Sequence, residues 1–322
     1  MHGIVVESDF RPAWWLPGAH AQTIGAQVRR AIPLPLAWEE FTLPDGDFLE
    51  LGWTGPAEGP VVALIHGLGG SYESVHIRGL ARAMAGAGWR VCLFHFRGCA
   101  RRPNRSLTTY HNGMTSDLDV VLHELARRYP DRPRAAVGIS LGGNALLKLL
   151  GERAEAVPLH GAAAISVALE LRPCVDRLNT GFSRFYQGLL LRRLKRRLAQ
   201  RRALISQHLD WDRIVSARRF PSFDDAFTAP VHGFADAEDY YARASSRPQL
   251  RHVRVPTLIL VAADDPFLAP AALPHAEDLS PAIRAEVSAG GGHVGFVAGP
   301  PHRPVYWLER RIVRWLEGLA AG

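Results

Sequence analysis

Lysine is nearly missing from this chain. Of its 38 basic residues only Lys148 and Lys195 are lysines, and the rest are arginine. Set against 31 acidic residues, they leave a formal charge of +7. An anionic partner and the codon bias of an Ala- and Arg-rich genome both explain this. The second carries more weight, because a modest net charge bears on solubility and weak association rather than on fold. No nucleic-acid partner is expected. Cysteine is scarce as well. Cys92, Cys99 and Cys174 are odd in number, widely spaced and form no CxxC pair, so neither a disulfide framework nor a zinc site is indicated. A reducing, cytoplasmic setting fits that usage. No run of about 20 apolar residues exists to span a membrane. The opening MHGIVVESDFRPAWW lacks the basic stretch and apolar core of a signal peptide. At 322 residues a chain buries about three-quarters of its unfolded surface and needs no staples.

What is present is an alternation. From residue 60 onward strand-type runs alternate with helix-type runs, which predicts an α/β fold with a mostly parallel central sheet and helices on both faces. The expected strands are Val61–Ile65, Arg90–Phe96, Ala135–Ile139, Gly161–Val167, Thr257–Ala263 and Ala282–Ser288. The expected helices are Ile77–Ala87, Ser116–Arg128 (with Thr115 or Ser116 as N-cap), Leu141–Glu152 and a closing amphipathic helix, Pro304–Leu319, anchored by Trp307, Ile312, Val313 and Trp315. Before residue 60, Phe41–Leu43 and Phe48–Trp53 flank Pro44-Asp45-Gly46-Asp47, a hairpin signal at one sheet edge. Between about 170 and 250 the parallel pattern stops. That stretch is arginine-rich, largely helical and aromatic, and an insertion of this kind forms a lid over the carboxyl edge of a sheet. The organisation expected is one domain over 1–322, with an N-terminal extension and hairpin through residue 58.

Residues 138–143 read Gly-Ile-Ser-Leu-Gly-Gly, directly after the apolar Ala135-Ala136-Val137. Gly-x-Ser-x-Gly in this position puts a serine on a sharp strand-to-helix turn, exposed and strained. A hydroxyl is a poor nucleophile at neutral pH, so Ser140 needs a base, an acid and an oxyanion hole. His293 lies in Ala289-Gly-Gly-Gly-His-Val-Gly-Phe-Val297, a glycine-rich loop after the last expected strand. The acid should follow the preceding strand, where Asp264-Asp265-Pro266-Phe267 stands. Asp265 is favoured there, leaving Asp264 a structural role in the loop. The oxyanion hole calls for two backbone N–H groups. Leu141, after the serine, supplies one. Leu68, in His66-Gly-Leu-Gly-Gly70 after the first parallel strand, supplies the other. The order Ser140, Asp265, His293 is that of α/β hydrolases and not of the two common serine-protease arrangements.

Further motifs run along the chain: Phe10-Arg-Pro, Gly18-Ala-His-Ala-Gln-Thr-Ile24, His66–Ser71, Phe96-Arg-Gly-Cys-Ala100 leading to Pro103-Asn104, Tyr110-His-Asn-Gly113 with Asp117, Asp264–Phe267 and Gly291–Phe296. In this set and order the chain resembles the YheT-like subfamily of α/β hydrolases over nearly its whole length. The resemblance implies Ser140, Asp265 and His293 as the triad. It also implies a lidded fold and hydrolysis of carboxylic esters, lipid-like or medium-chain acyl esters included, with no metal or organic cofactor. A thioesterase or acyltransferase would use the same acyl-enzyme, and a non-catalytic binding protein could keep the fold. Members of the subfamily tend to read Asn-x-Arg-Gly-Cys-Ser/Gly where this chain has His95-Phe96-Arg97-Gly98-Cys99-Ala100-Arg101, which changes the surface on the substrate side.

Residues 189–202 put Leu191, Leu194 and Leu198 on one helical face with cations around the rest. Contact with an anionic lipid surface and packing on the core with a solvated basic face both fit, the second better. His20, Gln22 and Thr23 are expected either to line the site or to brace the N-terminal segment, with bracing favoured. Cys99 is expected to be a small buried thiol, and Asp117 a structural acid near the start of its helix.

Overall fold

A computed structural model describes residues 2–28 and 30–320. Its frame is a nine-stranded sheet in the order β1-β9-β8-β7-β6-β4-β5-β3-β2. The strands are β1 (Ile4–Glu7), β2 (Ala37–Thr42), β3 (Phe48–Thr54), β4 (Val61–Ile65), β5 (Arg90–Phe94), β6 (Arg134–Ile139), β7 (Gly161–Ile165), β8 (Thr257–Ala262) and β9 (Ile283–Ser288). All neighbours from β1 to β5 in that order are parallel; β3 and β2 join antiparallel as a hairpin at the edge. The central strands are unbroken apolar runs because both their faces are covered. Val61–Ile65 is buried at every position, and so are Gly161–Ile165 and Thr257–Ala262.

The helices that position the site are α1 (Gly18–Gly25), α2 (Val75–Gly86), α3 (Ser116–Arg128), α4 (Leu141–Arg153), α5 (Leu171–Leu178) and α6 (Ser183–Ala199). Leu118 and Leu122 of α3 and Leu146 and Leu150 of α4 pack on one face of the sheet. Leu80 and Met84 of α2 pack on the other, with Ile312 and Leu316 of the closing helix Trp307–Ala320. Between β7 and β8 the chain leaves the sheet for a series of helices from Leu171 to His252. That segment has a cluster of its own, including Tyr186, Ile205, Ile214, Phe223, Phe227 and Tyr241.

Some details differ from the sequence expectation. The outermost strand is β1, parallel to β9; only four residues long and mostly exposed, it carries no alternation to reveal it. The closing helix begins at Trp307, because Val305-Tyr306 pairs with Val297-Ala298 instead. Thr115 stands at the N-cap of α3 without capping it, since its hydroxyl donates to Glu152 at 2.9 Å. Asp117 is in the first turn of α3, as expected of a structural acid, and there it holds Arg97 through two hydrogen bonds of 2.7 and 2.8 Å.

Topology decides where chemistry can occur. The chain runs from β4 to β5 on one side, then crosses to β6 on the other. A crevice opens outside the carboxyl ends of the strands at such a reversal. The loop after β4 and the turn after β6 therefore face each other there.

Candidate active site

Ser140 sits between β6 and α4 with φ 52° and ψ −117°, a strained conformation for a residue other than glycine. Glycines make the turn possible. A Cβ on Gly138 would come 2.5 Å from the Gly142 carbonyl oxygen, and one on Gly142 would come 2.5 Å from the His66 oxygen. Both approaches are closer than a side chain tolerates. The Ser140 N–H donates to the Ile165 carbonyl at 2.7 Å, which ties the turn to β7.

His293 comes to the serine from the loop after β9. Its Nε2 lies 3.1 Å from Ser140 Oγ, and its Nδ1 lies 2.9 Å and 3.2 Å from the two carboxylate oxygens of Asp265. A carboxylate accepts only, so Nδ1 carries the proton and Nε2 is left free to accept the serine hydroxyl. Asp265 is buried and also accepts the Phe267 N–H at 2.8 Å. Asp264 faces elsewhere, accepting the Gly292 N–H at 2.9 Å. Burial, with the neighbouring Asp265 charge, raises its pKa. Of the other histidines along the cavity, His76 is pushed down to about 4 by burial and by the charges of His293 and Arg193. His111 is pushed down to about 3 by burial and by His232, Lys148 and Arg243.

Leu68 lies in the loop after β4, and Leu141 directly follows the serine. Leu141 opens α4, so its N–H has no partner within the helix. Among the described residues the Leu68 N–H donates to no other backbone group. Its loop lies against Ser140: a Cβ on Gly67 would be 3.1 Å from Ser140 Cβ. His66 holds this loop by donating from Nδ1 to the Gly67 carbonyl at 2.8 Å and accepting the Phe96 N–H on Nε2 at 3.3 Å. Burial first, then the His95 charge, hold its pKa well below the usual range. The Tyr110 hydroxyl fixes the next residue by accepting the Gly69 N–H at 2.7 Å.

Phe267 and Ser166 escaped the sequence as supports, and so did the fact that Gln22 and Thr23 hold the His293 loop. Phe267 stacks on the His293 ring, centroids 3.9 Å apart and planes within 2°. Ser166 Oγ accepts the Val294 N–H at 3.1 Å. Thr23 accepts the His293 N–H at 2.9 Å and donates to Ala19 at 2.7 Å. Gln22 both accepts from Val297 N–H and donates to its carbonyl. So α1 braces the histidine loop. Gly292 must be glycine for that contact, since a Cβ there would stand 2.4 Å from the Ala19 oxygen. The signal for this was the GAHAQTI motif, whose meaning depends on a partner some 270 residues away in sequence. Cys99 is buried, and burial lifts its thiol to about 11.

Ser140, His293, Leu68 and Leu141 line one cavity of about 480 Å³. Its wall is mostly apolar, with Leu171, Val175, Phe185, Leu190, Phe223 and Phe267 among the lining residues, and the helical segment between β7 and β8 supplies most of the apolar ones. Asp224 is the only carboxylate on that wall among the described residues. It accepts hydrogen bonds of 2.6 Å from Thr228 and from Tyr241. Burial nevertheless pushes it up to about 7. A carboxyl with a higher pKa folded than unfolded takes up a proton on folding. Its contribution to stability is full below about pH 4 and is lost as the pH rises through 7. Asp224→Asn is neutral throughout, so its Tm relative to the parent should be a few degrees higher at pH 8 than at pH 5. A free-energy change of about 1–2 kcal/mol gives that much. Thermal melts at the two pH values check this; an equal difference at both would refute it.

Among the described residues no group of three or more His, Cys, Asp or Glu side chains could hold a metal ion, and no helix is long and apolar enough to cross a membrane.

The family model of the alpha/beta hydrolase fold matches residues 60–300. The chain is 39% identical over 316 residues to "Putative esterase YheT" of Escherichia coli K12, covering 96% of this chain and 93% of that one. It is 27% identical over 330 residues to "Phospholipase ABHD3" of Mus musculus, covering 99% and 80%. Among solved structures, the Pyrococcus furiosus esterase Pf2001 superposes with a TM-score of 0.56 at 14% identity, covering 99% of each chain. That likeness is one of fold alone.

Proposed function

This chain belongs to the α/β hydrolase family, in the branch that includes YheT, and from that premise we propose that it is a serine hydrolase that cleaves carboxylic esters through an acyl-enzyme on Ser140. One observation carries the reading: the Ser140–His293–Asp265 relay opens onto an apolar cavity. His293 Nε2 takes the hydroxyl proton as Oγ attacks the ester carbonyl. The Leu68 and Leu141 N–H groups hold the tetrahedral oxyanion, each worth about 3–4 kcal/mol of transition-state stabilisation. Asp265 keeps the imidazole in its working tautomer and stabilises the imidazolium. The imidazolium then protonates the leaving alcohol, and water attacks the acyl carbon by the same route, giving the acid and free serine.

The apolar wall supports acyl esters as substrates, and the names of the relatives point the same way. Each methylene buried in the cavity should add about 0.8 kcal/mol, about fourfold in kcat/KM, until the cavity is full. The test is labelling with a fluorophosphonate probe beside hydrolysis of p-nitrophenyl esters from acetyl to palmitoyl. Labelling, with kcat/KM climbing over the short chains and then levelling or falling, is the expected result. A folded protein that neither labels nor turns over any ester would overturn the proposal.

A further inference from the structure

The basic helix does not carry its cations as the sequence suggested, all on a solvated outer face. Three of them, Arg193, Arg197 and Arg201, recur once per turn along α6 and its end and line the catalytic cavity beside Leu190, Leu194 and Leu198, with Arg193 exposed at its rim, Arg197 half-buried and Arg201 buried. Arg193 lies over the oxyanion loop, its Cβ 3.6 Å from where a Cβ on Gly69 would stand. Arg197 donates to the Gly70 carbonyl at 3.0 Å and to the Gly98 carbonyl at 3.4 Å. Arg201 is buried, with 6% of its surface exposed, and its Nε, Nη1 and Nη2 find no acceptor among the described residues.

A buried guanidinium without a partner is costly, and among the described residues no carboxylate answers it. Asp47 is near enough to act on Arg201 through space. Its oxygens are already engaged by the N–H groups of Phe48, Arg105 and Ser106 and by the Asn104 and Ser106 side chains. Arg97, the other cation on the wall, is matched by Asp45 and Asp117. Asp224 is taken by Thr228 and Tyr241. The cavity thus joins an apolar wall to unmatched positive charge next to the oxyanion loop.

We propose that Arg201, with Arg197, binds an oxyanion carried by the ester itself, a phosphate or carboxylate, so that the preferred substrates are anionic acyl esters. The planar guanidinium fork suits such groups and a lysine does not replace it. This rests on the esterase reading of the site. The test compares 1-octanoylglycerol with 1-octanoylglycerol 3-phosphate, which share one acyl chain and differ in charge. The parent protein should have the higher kcat/KM for the phosphate. Arg201→Gln should lower the phosphate-to-neutral ratio about 10- to 100-fold, the loss typical of a charged hydrogen bond. Arg201→Lys should restore only part of it, and Arg196→Gln, exposed on the same helix, should leave the ratio alone. An unchanged ratio in folded Arg201→Gln would overturn the proposal. A second readout needs no turnover. Octyl phosphate should raise the Tm of the Ser140→Ala protein, octanol should raise it less, and adding Arg201→Gln should remove the difference. If inorganic phosphate alone gave the full rise, the anion would not be part of a substrate and the proposal would fail. If neither ester were turned over but octyl phosphate bound through Arg201, the esterase reading would fail and the anion site would stand.

Discussion

Ser140→Ala should lower kcat by about 10^6-fold while leaving the fold intact, and His293→Ala should do nearly the same. The size follows from the members of a triad acting as one unit, so that loss of either the nucleophile or the base costs almost as much as loss of all three. The specificity of the serine change follows from its surroundings. Among the described residues, Ser140 Oγ hydrogen-bonds only His293 Nε2. The backbone that holds the turn is untouched: the Ser140 N–H still donates to Ile165 and its carbonyl still accepts from Asn144 at 3.0 Å. Alanine meets the same positive φ that serine does. Melting should therefore move by no more than a single hydrogen bond's worth, about 1 kcal/mol. Kinetics on the best p-nitrophenyl ester, with a melt of the same sample, measure both. Parental turnover from folded Ser140→Ala would remove the serine from the chemistry altogether.

The parts of this site that could be read in the sequence are those whose geometry is local, such as the serine turn, and those fixed by their order after the strands, such as Asp265 and His293. Gly138, Ser140 and Gly142 state their own turn, because the clashes that exclude larger residues come from atoms within five residues or from the end of β4 and its loop. The central strands announce themselves because they are apolar throughout, and the hairpin because a turn motif separates two alternating runs. What escaped depends on distant partners. Nothing in the local sequence says that Thr23 reaches His293, that Tyr110 pins Gly69, or that Phe267 stacks on the His293 ring. The phase of α6 is the clearest miss. Its leucines suggested an inner face and its arginines an outer one. A helix roofed over a cavity has two inward ridges, and here one is apolar and the other basic. The buried Leu191 and Leu198 were legible as core, whereas Arg201 looked like one more surface cation in a chain full of arginine.

The adjacent acids after β8 give the second large effect, because the two differ in what they hold. Asp265→Asn should lower kcat by about 10^4-fold, and Asp264→Asn only a few-fold. In Asp265, Oδ1 accepts the Phe267 N–H at 2.8 Å, while Oδ2 is the oxygen nearer His293 Nδ1, at 2.9 Å. In an asparagine the Phe267 N–H keeps the oxygen on its own side, so the amide NH2 takes the place of Oδ2. It then donates to Nδ1 and forces the ring proton onto Nε2, the atom that must accept from Ser140. The side chain keeps its shape and its burial; only the tautomer is reversed. Asp264 accepts the Gly292 N–H at 2.9 Å through one oxygen, and an asparagine oxygen can accept it equally well. Burial and the Asp265 charge already raise the Asp264 pKa, so removing that charge relieves repulsion. Parallel kinetics of the two variants on one ester decide the matter. A large loss in Asp264→Asn with near-parental activity in Asp265→Asn would exchange the two roles and require the loop after β8 to turn differently from the geometry described.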